Sequence, residues 1–113
     1  MRTRILAGLA IVALAGPAAA RPEIKILMPS EDTCAAFTAA MDSGDAQRVL
    51  GLGGWALGFL SGIAHASGQD ILRNATSELI FDQLYDRCKA QPTRPMTVLL
   101  QEIAESLSAQ RHD

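Results

Sequence analysis

Aromatic side chains are scarce in this chain. One tryptophan, one tyrosine and three phenylalanines make up 4% of its 113 residues. Basic residues are few and dispersed: Lys25, Lys89 and eight arginines, with no cluster to lie along a phosphate backbone. Nucleic acid is therefore not an expected partner. Only His65 and His112 carry imidazoles, and only Cys34 and Cys88 carry thiols. No cysteine or histidine stands at ligand spacing from either cysteine, which argues against a metal centre. Ser61 and His65 lack a visible orienting group and oxyanion site, so no catalytic constellation emerges and no cofactor is implied. Internal repeats and low-complexity tracts are missing too.

What is present begins with a three-part amino terminus. Met1–Arg4 is short and basic, Ile5–Ala15 is an unbroken apolar run, and Ala18-x-Ala20 offers small residues for cleavage before Arg21. That layout predicts a secretory signal peptide over 1–20, too short in its apolar part to cross a bilayer. The expected mature chain, 21–113, is one domain. It keeps eight Lys/Arg against twelve Asp/Glu, a charge of −4. A periplasmic location follows as the expectation, and two cysteines in an exported chain predict one disulfide.

Residues 21–30 are bracketed by prolines and read as a lead-in, not a dependable strand. Ser30 or Asp32 is placed to cap a first helix carrying Cys34, Phe37 and Met41, stopped by Ser43-Gly44. A second helix is expected from near Asp45 to Ser67-Gly68. At about 100° per residue, Leu52, Trp55, Phe59, Ile63 and Ala66 share one face, and Gly51, Gly54, Gly58, Gly62 and His65 another. A helix apolar nearly all round is expected to be buried on most sides, with a neighbour packed close along the glycines. The same segment, Val49–Gly68, carries no formal charge, and Gly54-x3-Gly58-x3-Gly62 is also a membrane-helix packing pattern. Six glycines, two serines and His65 weaken it as a span, and no basic cluster flanks it.

Thr76 or Ser77 should cap a third helix ending near Ala90, with Ile80, Phe81, Leu84, Tyr85 and Cys88 inward. Glu78, Asp82 and Asp86 stack one turn apart, so they should raise one another's pKa, with Lys89 quieting Asp86. Together with His65 they are the candidate pH-responsive groups. Thr93 should cap a last helix whose stripe is Met96, Leu99, Leu100, Ile103, Ala104 and Leu107. Asn74-Ala-Thr76 matches a glycosylation sequon, a short and weakly specific pattern. The expected fold is all-α, a small four-helix orthogonal or bundle-like domain with one disulfide.

Thr33-Cys34-x-x-Phe37, Trp55-x-x-Gly58-Phe59-x-x-Gly62 and Cys88-x-x-x-Pro92 together resemble the HdeA/HdeB-like periplasmic proteins. The likeness runs over roughly Thr33 to Leu107. It implies four helices with Cys34 and Cys88 bridged around Phe37, Trp55 and Phe59. It further implies an acid-stress holdase, a homodimer at neutral pH that opens in acid and captures unfolding periplasmic proteins. Phe37, Trp55, Phe59, Ile63, Leu99, Leu100 and Ile103 are then the candidate core and client-binding residues. The chain departs from those chaperones in lacking lysine-rich tails. It is also similar to Tai-type immunity proteins of type VI secretion systems, which implies instead an inhibitor that binds a toxin enzyme at neutral pH.

Overall fold

A computed structural model describes residues 23–29 and 34–110, with Gly8 isolated before them. The expected signal peptide, the caps at Ser30 or Asp32, and His112 lie outside these residues. Within them are four helices: α1 (Cys34–Ser43), α2 (Ala46–Ser67), α3 (Ser77–Ala90) and α4 (Met96–Gln110). Helix α1 packs against α3 and α2, and α4 packs against α2 and α3.

Helix ends follow local chemistry. Gly44 and Gly68 take the left-handed conformation (φ 67° at each) that lets the chain leave α1 and α2 without Cβ strain. The Asp45 carboxylate accepts from the Arg48 backbone N–H (3.2 Å) and caps α2, while Thr76 Oγ1 accepts from Leu79 N–H (3.1 Å) and caps α3. Thr76 is thus committed to the helix start. Helix α4 begins at Met96, one residue past Pro95, whose carbonyl accepts from Val98 N–H (3.2 Å).

The core lies between all four helices. Phe37, Leu84, Met96, Leu99, Leu100 and Ile103 are all 0% exposed, and Cys34 and Cys88 lie among them. Those cysteines form the expected disulfide, with Cα atoms 4.8 Å apart, joining the start of α1 to the end of α3. The predicted α4 stripe is buried in full. Buried Thr38 is satisfied within its own helix, donating to the Cys34 carbonyl (3.0 Å).

Helix α2 departs from expectation. Its core contribution is Leu52, Gly53, Ala56 and Leu60, whereas Trp55, Phe59 and Ile63 are half-buried and Ala66 is exposed. Among the described residues no neighbour packs along the glycine ridge: a Cβ placed on Gly51, Gly54, Gly58 or Gly62 would meet none of them within 4 Å. The close approach is on the opposite side, where a Cβ on Gly53 would stand 2.5 Å from the tip of the Phe81 ring. The small residues face outward because the three partner helices need only one side of α2.

Candidate functional site

The outward side of α2 exposes Leu50, Gly51, Gly54, Gly58 and Gly62, with Ser61 and His65 toward its end. Trp55 and Phe59, one turn apart, stack with ring centroids 5.5 Å apart at 26°. They border the open glycine ridge, and Leu50, 68% exposed, lies toward its other side. Helix α2 is the one described helix long and apolar enough to cross a membrane, yet only 22% of its most apolar window is buried. The segments before and after it are covalently joined through Cys34–Cys88.

A short extended segment runs past this face. Residues 23–29 form no helix, and the Leu27 carbonyl accepts a hydrogen bond from Trp55 Nε1–H (3.2 Å). Ile24 and Leu27 are 76% and 77% exposed, Ile26 and Met28 37% and 39%. The alternation from 26 to 28 is that of an extended segment lying on a surface. The lead-in is not a strand, as expected, but its apolar residues make it part of the site.

Phe37, Leu99, Leu100 and Ile103 are sealed in the core, so of the candidate binding residues only Trp55, Phe59 and Ile63 reach the folded surface. His65 is exposed near the end of α2, and no hydrogen bond joins it to Ser61 among the described residues. Glu78, Asp82 and Asp86 are exposed along α3. Glu78 departs from the expected mutual upward shift. Its pKa is lowered, first by a backbone N–H at the start of α3 and then by the Ser77 hydroxyl (3.2 Å). Position at a helix amino terminus outweighs like charges one turn away.

Lys89 does not serve Asp86. It pairs with Asp42 of α1 (Nζ–Oδ2 2.5 Å), whose other carboxylate oxygen accepts from the Tyr85 hydroxyl (2.5 Å). The ammonium also lies 5.3 Å from the Tyr85 ring centroid. The Lys89 hydrogen bond, then that of Tyr85, holds the Asp42 carboxyl below the usual carboxylate range, and Asp42 in turn raises the pKa of Lys89 and of Tyr85. A second cluster ties α3 to α4: Glu102 accepts from Arg87 (3.3 Å) and Arg94 (3.1 Å). Neither cluster was legible in sequence, since Asp42 lies 43 and 47 residues from its partners and no local spacing announces them.

Among the described residues no group of three or more His, Cys, Asp and Glu could hold a metal ion. An open cleft of about 330 Å³ lies beside the α2–α3 turn, lined by Ile71, Arg73, Asn74, Leu79, Leu107 and Gln110. It includes none of the candidate residues.

Fold and site define a small all-α, single-disulfide domain with an open apolar helix face. Compared with known proteins, the chain matches no family model, no curated protein and no solved structure.

Proposed function

We propose that this chain is a periplasmic binding protein of the HdeA/HdeB-like kind, an acid-stress holdase that captures unfolding proteins through apolar surface. The observation that carries this reading is the outward side of α2, where half-buried Trp55 and Phe59 stack beside exposed Leu50 and the open glycines Gly51, Gly54, Gly58 and Gly62. An exposed apolar patch of that kind marks an interaction site. In strong acid the twelve carboxylates are neutral, and eight Lys/Arg, two His and the new amino terminus leave a charge of about +11. Self-repulsion then opens the helices while Cys34–Cys88 keeps α1 on α3. Trp55, Phe59 and the α4 stripe become available to clients.

Export fits both the amino-terminal pattern and the disulfide. A membrane-spanning α2 is disfavoured, because the bridge would have to join segments on opposite sides of a bilayer. The second reading, an immunity protein that inhibits a toxin enzyme, draws on the same face being open in the folded state, so that a folded partner could dock without any unfolding.

Light scattering separates the two. The protein is mixed with an aggregating client at about pH 2 and at neutral pH. A holdase suppresses scattering in acid. Unhindered aggregation there, with the native far-UV spectrum retained, removes the chaperone role. Tight neutral-pH binding to a toxin encoded beside this chain would establish the inhibitor instead.

A further inference from the structure

We infer that residues 23–29 form a strap occupying, on the Trp55–Phe59 side of α2, the seat for an extended apolar stretch of another polypeptide. This inference rests on the proposed capture of unfolded chains and names the surface that does it. The occupant is argued from the strap itself. Glu-Ile-Lys-Ile-Leu-Met-Pro is an extended, mainly apolar peptide, and the Leu27 main-chain carbonyl takes the Trp55 indole N–H (3.2 Å). A main-chain contact of this kind is indifferent to sequence, and apolar side chains at alternate positions supply the rest. Those are the properties an unfolded client offers.

The strap is weakly held. Ile26 and Met28, its better-covered side chains, remain 37% and 39% exposed, and Ile24 and Leu27 are more than three-quarters exposed. None of the strap's side chains belongs to the buried core. Its release therefore costs little of the fold, whereas Trp55 and Phe59 remain positioned by α2. Because the strap continues into α1, whose Cys34 is bonded to Cys88, it stays near the seat after release and competes with any client.

Trp55 is the only tryptophan, so its emission reports the seat directly. The probe is a synthetic peptide of residues 23–29, titrated at neutral pH into protein recovered from expression of the full sequence. The comparison is the double variant Ile26→Ser, Met28→Ser. A strap seated nine-tenths of the time raises the apparent Kd about tenfold, so the variant should bind the peptide about ten times more tightly, with a saturable shift in Trp55 emission. Equal affinity in the two proteins, or no shift in either, overturns the inference. In the unaltered, isotope-labelled protein, saturating unlabelled peptide should also move the backbone amide resonances of 23–29 toward random-coil positions; resonances that stay in place overturn it even if the variant misfolds. The acid scattering assay distinguishes the two proposals. Peptide binding with unprotected clients removes the holdase and leaves the seat. Protected clients with no peptide effect remove the seat and leave the holdase.

Discussion

Lys89 reaches from the end of α3 to Asp42 near the end of α1, and Tyr85 meets the same carboxylate. These contacts sit on the pair of helices that the disulfide joins, so α1 is held to α3 by one bond that acid cannot break and one cluster that it can. Asp42 has a folded pKa below its ordinary 3.8. Its contribution to stability is present above that value and is lost as pH falls through the depressed folded pKa. Asp42→Asn should lower Tm in the neutral region and flatten the acid limb, the two Tm-against-pH curves converging as pH falls below about 4. An unchanged acid limb would show that the cluster adds nothing. At the alkaline end the sign reverses. Lys89, raised from 10.5, stabilises the fold below that value and loses its contribution as pH rises through the folded pKa.

The disulfide closes a span of 54 residues, and its loss should cost about 4 kcal/mol by restoring freedom to the unfolded chain. Cys34→Ser with Cys88→Ser is expected to lower the urea midpoint accordingly. Intact protein should gain about 2 Da on reduction, whereas two free thiols in the native protein would refute the bridge.

Glycines on opposite sides of α2 should respond oppositely. Gly58→Ala adds a methyl group where nothing stands within 4 Å and should stabilise the fold by up to about 1 kcal/mol, the helix-propensity difference. Gly53→Ala gains the same propensity but drives a Cβ against the Phe81 ring, whose edge meets Phe37 in the core (centroids 6.1 Å, 73°). It should be the less stable of the pair. Thermal denaturation decides, and a destabilised Gly58→Ala would mean that something packs along the ridge in solution.

Two acidic residues of α3 should also part company. Glu78→Gln removes a charge favoured at the helix start and should lower Tm; by linkage, the effect of Glu78 disappears as pH falls through its lowered pKa. Asp82→Asn relieves like-charge repulsion on an exposed face and should raise Tm by about 1 °C at neutral pH. A clear loss at Asp82 would contradict its place in the row.

Most of the fold is legible in the sequence because it rests on local signals. Asp45 and Thr76 cap, Gly44 and Gly68 terminate, and the Met96–Leu107 stripe faces the core at helical spacing. The bridge is legible because two cysteines allow one pairing. The orientation of α2 is not. Apolar residues surround that helix, so periodicity cannot tell which side three neighbours will choose, and the side they choose is marked by Gly53 and Ala56 instead of the longer glycine series. The Leu27–Trp55 contact escapes for a different reason. It uses a main-chain carbonyl, and main chain carries no sequence signature.

A titration of the purified protein from pH 7 to pH 2, followed by Trp55 emission and far-UV circular dichroism, tests the proposed acid opening most directly. A holdase of this construction should open reversibly in acid, Trp55 passing into a new environment while the disulfide stays oxidised. A native spectrum and unchanged Trp55 emission at pH 2 would contradict it.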